Sequence, residues 1–248
     1  MSERAGDRHR DGEHTGPAAR EAAALRARDV FAALGPEADG RIHLDAAVAG
    51  RHMYPLLNSA VVPRPIAWVS SLAEDGTVNL APHSYFTVAS VDPPVVSFTS
   101  IGRKDSQRNI EATGEFVVNL VTEALADACN LTGTDFPPEV DEFAAVGLEK
   151  AASRLVRPPR VAASPVALEC RLVHTWSAGG ASTVIFGEVV HTVLDPAAVV
   201  DGLPDMTLVR PASRLNKDLW GHAPDVYELR RVPYATWQEQ HAGTRSAS

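Results

Sequence analysis

Cysteine is scarce in this chain of 248 residues, which has only Cys129 and Cys170. Two cysteines are too few for a disulfide scaffold or for a four-cysteine zinc site. The nine histidines are scattered along the chain without the spacing that metal ligands show. The sequence therefore predicts no metal site.

The sequence also lacks a continuous apolar stretch of about 18 residues, the length that a transmembrane helix needs. Residues 1–28 are charged throughout and lack the apolar segment of a secretion signal. The chain has 31 acidic and 23 basic residues, and its net charge of −8 argues against nucleic acid or an anionic membrane as its main partner. We expect a cytoplasmic protein with no nucleic-acid and no membrane partner.

Four widespread catalytic and nucleotide-binding motifs are missing. The sequence has no GxGxxG after a strand, no GxxxxGK[ST], no HExxH and no GxSxG. These absences argue against a Rossmann dinucleotide fold, a P-loop nucleotidase, a zinc protease of the HExxH type and an α/β-hydrolase. The composition, with 45% hydrophobic residues, is that of an ordinary globular protein.

Composition divides the chain into three parts. Residues 1–40 form an extension that we expect to be disordered up to about residue 20 and helical from Arg20 to Leu34. Residues 41–235 form one domain, and residues 236–248 are a C-terminal tail that looks loose from Gln238. The segment Thr134–Arg160 reads as an insertion, either surface decoration, which we favour, or a wall of a substrate pocket.

The domain has a mainly β pattern. Two helices are predicted, Ser106–Thr113 ending at Gly114 and Glu123–Leu131 ending near Gly133. Many strands, short connecting helices and no regular βαβ alternation point to a β-barrel or sandwich. The predicted strands are Ile66–Leu72, Val78–Ala81, Ser84–Val91, Val95–Ser100, Phe116–Val121, Val166–Trp176 and Thr183–Leu194.

The segment Asn79–Phe86 (NLAPHSYF) is the first candidate for a ligand site. Pro82 is expected to interrupt the strand and to leave nearby backbone groups outside the ladder. Small and polar residues there would let a planar ligand approach the backbone. The alternative is a plain strand-to-strand crossover with a bulge.

The segment Thr99–Ile110 (TSIGRKDSQRNI) is the second candidate. A strand ends, a glycine permits a turn, cations follow, and a helix begins with Asp105 as the expected N-cap. The free N–H groups and the positive dipole of a helix start favour an anion, and Lys104 and Ser106 could bind a phosphate. The alternative is a solvated helix cap with surface charges.

Four blocks in this order resemble the flavin reductase-like family: YPLLNSAVVPRPIAWVSSL, DGTVNLAPHSYF, DPPVVSF and GRKDSQRNIEATGEFVVNL. They cover residues 52–121, and a weaker match continues to about residue 232. The resemblance implies an FMN-binding split β-barrel of Greek-key type with short connecting helices. It further implies a homodimer with FMN at the dimer interface.

The resemblance also implies a set of cofactor-binding residues. One group would line the ring system and ribityl chain, a second would surround the phosphate, and Asn109 would brace the phosphate loop. Arg64 is expected to anchor a strand, and Trp68 and Phe86 are expected to be core residues. The FMN-binding residues are Asn79, Ala81, Pro82, His83 and Ser84 in the first group, Thr99, Ser100, Lys104, Asp105 and Ser106 in the second, and Asn109.

The implied activity is hydride transfer from NADH or NADPH to FMN, with reduced flavin passed to a partner such as a monooxygenase. One departure stands against it. Many reductases of the family carry a Gly-Asp-His whose histidine lies near the nicotinamide, and Ser182 stands at that position here. A flavoredoxin-like electron carrier, or FMN-dependent oxidation or oxygenation of an organic substrate, therefore stay open as alternatives.

Overall fold

The computed structural model describes residues 35–50, 53–177 and 179–241. The expected disorder before residue 20 and the expected helix Arg20–Leu34 lie outside these residues. The chain separates into two compact units, Met1–Val62 with Leu215–Leu219, and Pro63–Arg214 with Trp220–Ser248. The domain limits at residues 41 and 235 stay predictions.

The described part of the first unit contains two helices, α1 (Ala46–Ala49) and α2 (Met53–Ala60). Helix α1 begins after Asp45, whose side chain accepts a hydrogen bond from the Ala47 N–H. Such a side-chain acceptor satisfies one of the N–H groups that a helix start leaves without a partner.

A seven-stranded antiparallel sheet dominates the second unit. Its order is β2-β1-β5-β8-β9-β4-β3, so the consecutive strands β2 and β3 form its two edges. The mainly β prediction is confirmed, and each predicted strand is found within about two residues of its expected ends. The strands are β1 (Ala67–Leu72), β2 (Val78–His83), β3 (Phe86–Val91), β4 (Pro94–Ile101), β5 (Glu115–Leu120), β8 (Val166–Ser177) and β9 (Ser182–Leu194).

Shorter elements connect and cover the strands of this unit. Both predicted helices are present, although the second begins as a 3₁₀ turn at Glu123–Leu125. The helices are α3 (Asp105–Thr113), α4 (Ala126–Leu131), α5 (Glu142–Ala145), α6 (Met206–Val209) and α7 (Tyr234–His241), with a second 3₁₀ turn at Pro196–Ala198. The two-residue strands are β6 (Lys150–Ala151), β7 (Arg160–Val161), β10 (Val199–Val200), β11 (Leu203–Pro204), β12 (Ser213–Arg214) and β13 (Trp220–Gly221). Helix α7 extends to His241, into the segment expected to be loose from Gln238.

The sheet is packed on both faces, because two separate cores share strand β1. Ala67 and Val69 belong to the core that contains Phe98 and Phe116, whereas Trp68 belongs to a second core with Phe143. Alternate residues of a strand point to opposite faces, so a strand buried on both faces reads as a continuous apolar run. This explains the sequence IAWV, and it confirms Trp68 as a core residue. Phe86 packs against the first core, as expected.

Pro82 does not interrupt its strand, and the prediction that it would is wrong. It lies within β2 and pairs with Trp68 of β1. Strand β2 is an edge of the sheet, and an edge strand accommodates proline because one of its sides has no ladder to supply.

The segment Thr134–Arg160 is more than surface decoration, so the favoured interpretation of it is wrong. Phe143 is fully buried in the second core, and Glu142 is only 5% exposed. Both belong to α5, which packs on β2. The segment therefore covers one face of the sheet.

Candidate cofactor site

The two segments singled out in the sequence come together where β2, β4 and α3 meet. The ring of His83, at the end of β2, lies 4.6 Å from the ring of Phe98 in β4, measured between centroids. The Thr99 N–H donates to the Tyr85 carbonyl at 2.9 Å. Strands β2 and β4 lie at opposite ends of the strand order, so the contact between His83 and Phe98 shows that the sheet is rolled and that both segments lie in one place.

The turn before α3 has the geometry of an anion site. Gly102 has a φ of 80°, which favours glycine, and its N–H donates to the Ala181 carbonyl at 2.7 Å. The N-cap is Lys104 rather than Asp105, so that prediction is wrong; Asp105 is the first helical residue. The Lys104 side chain makes no capping hydrogen bond in the described structure. The first-turn N–H groups therefore lack an N-cap side-chain acceptor, and these are the groups that bind anions at helix starts.

The predicted cations lie at the surface and have carboxylate partners. Lys104 Nζ is 2.8 Å from Asp135 Oδ1, and both side chains are more than half exposed. Arg108 contacts Asp105 within α3. Because exposed ion pairs contribute about 0–1 kcal/mol, Lys104 can exchange Asp135 for a more highly charged anion at small cost.

Five of the predicted residues lie behind this surface. Ser100 and Ser106 are fully buried, and the Ser100 hydroxyl donates to the Gly102 carbonyl at 2.8 Å, which holds the turn. Asn109 donates to Ser71 Oγ at 3.2 Å and thereby ties α3 to β1. These residues, with the buried Asn79 and His83, support the site from within.

Four buried polar side chains, Glu142, Asn79, Ser106 and His83, are connected by hydrogen bonds and close contacts. Asn79 Nδ2 donates to Glu142 Oε1 at 2.7 Å, and the Leu80 N–H donates to Glu142 Oε2 at 2.9 Å. The Ser106 hydroxyl donates to Asn79 Oδ1 at 3.0 Å and lies 3.2 Å from His83 Nε2. Helix α5, strand β2 and the first turn of α3 are joined by these contacts.

Two of these hydrogen-bonded side chains, His83 and Glu142, have shifted pKa values. Burial lowers the pKa of His83 from 6.5 to about 4, a hydrogen bond with the Thr99 backbone opposes this, and the charge of Lys104 adds to it. His83 is therefore neutral at pH 7. Burial raises the pKa of Glu142, and the hydrogen bonds from Leu80 and Asn79 oppose that shift.

The remaining predicted residues are partly or fully accessible, except that Pro82 points elsewhere. Ala81, Ser84, Thr99 and Asp105 are half-buried, and Lys104 is exposed. A Cβ added to Gly133 would lie 3.3 Å from Pro82 Cγ, so Pro82 packs beneath α4 on the face opposite to His83. The structure brings the other ten residues together, and their assignment to a cofactor stays a prediction.

Sequence reasoning missed two contributors to this site. Arg64 does anchor the chain before β1, because it exchanges backbone hydrogen bonds with Arg214 at 3.0 and 2.9 Å. Its Nε also donates to Ser84 Oγ at 3.4 Å, in the first candidate segment. Glu142 was missed because it lies in a Pro-rich acidic stretch that is typical of a surface loop.

A cleft of about 280 Å³ lies beside α3. It is lined by the β1–β2 turn, the helix start and residues 138–139, and carries the carboxylates of Asp75, Asp105 and Glu139 against the single cation of Arg108. Its acidic lining does not suit a phosphate, which distinguishes it from the turn at Lys104.

Ser182 lies next to the turn at Gly102–Lys104. It is the first residue of β9 and pairs with Ile101 at the end of β4. The neighbouring Ala181 carbonyl accepts the Gly102 hydrogen bond. The residue that departs from the pattern of the resembling reductases is thus at the edge of the candidate site.

The family model described as Flavin reductase like domain matches residues 59–205. An uncharacterized protein of Deinococcus radiodurans is 44% identical over 200 residues, which cover 75% of this chain and 88% of that protein. The crystal structure of nitrilotriacetate monooxygenase component B from Bacillus cereus is 29% identical, with a TM-score of 0.73, and the match covers 76% of this chain and 98% of that one. The structure of Pseudomonas fluorescens 2-nitrobenzoate 2-nitroreductase is 31% identical, with a TM-score of 0.71, over 77% and 96% of the two chains. In the part of the chain that the structure describes, no helix is long and apolar enough to cross a membrane.

Proposed function

This chain belongs to the flavin reductase-like domain family, whose split-barrel fold it has, and on that premise we propose that it binds FMN and reduces it with NADH or NADPH. The proposed product is reduced flavin, which a partner such as a monooxygenase would use. The similarity to nitrilotriacetate monooxygenase component B supports a partner of that class.

The turn at Gly102–Lys104 is the observation that carries the proposal. In the described part of the chain, the Lys104 side chain makes no capping hydrogen bond to the first-turn N–H groups of α3. The Lys104 ammonium lies at the surface beside these groups. Backbone N–H groups together with a mobile cation are what a terminal phosphate requires. FMN carries such a phosphate, so the residues present fit this end of the cofactor.

The other end of the cofactor would lie against β2. Ala81 and Ser84 are accessible there, and the Ser84 hydroxyl is held by Arg64. Small side chains leave the backbone free to contact a flat ring. His83, neutral and buried behind them, brings no positive charge to this wall.

When bound, FMN supplies the hydride-accepting chemistry, and the protein needs no catalytic triad for it. The residues of this chain bind and orient the cofactor and leave one face of it open for the electron donor. We propose that a second copy of the chain completes the site as a homodimer.

Ser182 favours a second candidate function. A serine in place of the expected histidine removes a side chain that would contact the nicotinamide, which suits an electron carrier that accepts electrons from another redox protein. The similarity to 2-nitrobenzoate 2-nitroreductase supports a further variant, in which the bound flavin acts on an organic substrate.

The test is a visible absorption spectrum of the purified protein with added FMN, followed by anaerobic NADH and then NADPH. We expect the bound flavin spectrum to bleach rapidly with one of the two donors. A flavin that binds and stays oxidised would contradict the reductase and support the carrier. Absence of flavin binding would contradict both.

The Ser182→His variant provides a matched comparison for the donor. If Ser182 limits the use of the nicotinamide, the histidine should increase the bleaching rate and leave FMN affinity unchanged. An equal rate in both proteins would show that Ser182 is irrelevant to the donor.

A further inference from the structure

We propose that Glu142 is a positioning residue for the turn at Gly102–Lys104, where the FMN phosphate would bind. It acts by fixing which way the Asn79 side-chain amide faces. This inference rests on the proposed function. It concerns a residue that touches neither the proposed phosphate nor the flavin ring, because Glu142 is 5% exposed on α5, on the far side of Asn79.

The orientation of the Asn79 side-chain amide follows from its hydrogen-bond partners. Both oxygens of Glu142 act as acceptors, one from the Leu80 N–H and the other from Asn79. The hydrogen bond from the Leu80 N–H favours the ionised form of Glu142, and an ionised carboxylate has no proton to donate, so Asn79 turns its NH₂ group toward it. Its Oδ1 is then directed toward α3 and the Ser106 hydroxyl.

Ser106 connects the Asn79 amide to helix α3. Asn79 Oδ1 accepts the Ser106 hydroxyl proton at 3.0 Å. Ser106 is fully buried in the first turn of α3, one residue after Asp105. The hydroxyl is thus held inward against β2, and the first turn is fixed with its N–H groups directed out of the helix start.

The Glu142→Gln substitution would reverse the direction of the hydrogen bond between residue 142 and Asn79. It keeps the size and shape of the side chain but replaces one acceptor by a donor. If the new amide keeps its bond to the Leu80 N–H, it presents NH₂ to Asn79. Asn79 must then lose that bond or turn over, and an overturned amide offers Ser106 a donor where it now has an acceptor.

The experiment compares FMN with riboflavin, which has the same ring and lacks the phosphate. Dissociation constants are measured by flavin fluorescence for the wild-type protein and the Glu142→Gln variant. We expect FMN affinity to fall about tenfold and riboflavin affinity, which a turned Asn79 affects only on the ring side, to fall by a clearly smaller factor. A fall of equal size for both ligands, or no change for either, would overturn the proposal.

The Glu169→Gln variant is the matched control. Glu169 is also buried and also accepts two hydrogen bonds, in its case from the backbone N–H groups of Arg154 at 2.8 Å and Leu155 at 2.6 Å. It lies on β8, away from the chain of contacts that ends at Ser106. Its loss should lower the midpoint of thermal unfolding without changing the ratio of FMN to riboflavin affinity.

A rescue experiment separates hydrogen-bond direction from packing. Asn79→Asp alone places two carboxyl groups face to face and should abolish the preference for FMN. Combined with Glu142→Gln, it exchanges acid and amide: the new amide donates to the new carboxylate, which still accepts the Ser106 hydroxyl. We expect the double variant to recover most of the FMN preference, and failure to recover it in a folded protein would overturn the proposal.

The wild-type measurement distinguishes the two levels of inference. If the wild-type protein binds neither flavin, the proposed function fails and the role of Glu142 fails with it. If it binds FMN more tightly than riboflavin and the variants keep that ratio, the proposed function stands and only the role of Glu142 is overturned. If Glu142→Gln alone does not fold, the double variant still decides the question.

Discussion

His83 should make the stability of this protein depend on pH. Its pKa is lowered to about 4 by burial against Phe98 and Ser106, whereas in the unfolded chain it returns to its ordinary value of 6.5. At pH values between about 4 and 6.5, His83 is protonated in the unfolded chain and neutral in the folded protein. The free energy of unfolding is therefore unaffected by His83 above about pH 7 and falls as the pH drops from 6.5 to about 4.

The size of the effect follows from the difference between the two pKa values. Each pKa unit corresponds to about 1.4 kcal/mol, so the full loss is about 3 kcal/mol. Domains are stable by about 5–15 kcal/mol, which makes this loss large enough to measure by urea unfolding. The assay compares the wild-type protein with the His83→Gln variant at about pH 7.5 and about pH 4.5.

The difference between the two proteins isolates His83. Other carboxyl groups with shifted pKa values also make the stability depend on pH, but both proteins carry them. The wild-type protein should lose about 2–3 kcal/mol more than the variant on acidification, and His174→Gln, at an exposed histidine of β8, should behave as the wild type. Equal losses in wild type and His83→Gln would refute the reasoning. The shared groups are Asp39, Asp75, Glu123 and Asp205, whose pKa values are lowered, and Glu142, whose pKa is raised.

Two further substitutions test the site and the core. Lys104→Ala should weaken FMN binding about tenfold or more and leave the thermal midpoint without ligand unchanged, because its pair with Asp135 is exposed; Lys150→Ala, at another lysine paired with a carboxylate, is the control, and unchanged FMN affinity would place the phosphate elsewhere. Gly187→Ala should lower the free energy of unfolding by about 1–3 kcal/mol, because the new Cβ would lie 2.2 Å from Phe116 Cζ. Urea unfolding of the double variant with Phe116→Leu should show a cost below the sum of the single costs, and simple additivity would contradict this explanation.

The strands were predictable because their side-chain patterns and turns are local. The Glu74-Asp75-Gly76 turn between β1 and β2 and the Gly179-Gly180 pair between β8 and β9 each separate two apolar segments, and both hairpins are found. The helix end at Gly114 was equally predictable, since its φ of 74° favours glycine. Local chemistry thus accounts for most of the sheet.

Burial of carboxylates could not be predicted in this way. Glu169 is fully buried because the segment that contains Arg154 and Leu155 covers its face of β8. Glu142 is buried because a distant segment folds onto β2. In both cases the acceptors are satisfied by backbone or amide N–H groups that lie at least 14 residues away in the chain, and no local pattern contains them.

The helix start at Lys104 shows an intermediate case. The sequence indicated the helix, and it assigned the N-cap to Asp105 on residue preference alone. Asp105 instead pairs with Arg108 one turn along the helix, and Lys104 has the extended backbone of a cap. Preference for a cap residue competes with ion pairs that only the formed helix offers.

The strand order also determines when the site can form during folding. Three of the six pairings in the sheet are hairpins between neighbours in sequence, and the other three join β1 to β5, β5 to β8 and β4 to β9. Pairings between distant segments are slow, because the loop must close before any contact is gained. The β1–β2 and β3–β4 hairpins are joined directly by Ser84 and Tyr85, whereas the Ala181 carbonyl that holds Gly102 reaches the turn only when β4 pairs with β9. A ligand that needs the complete turn should therefore leave the folding rate unchanged and slow unfolding instead.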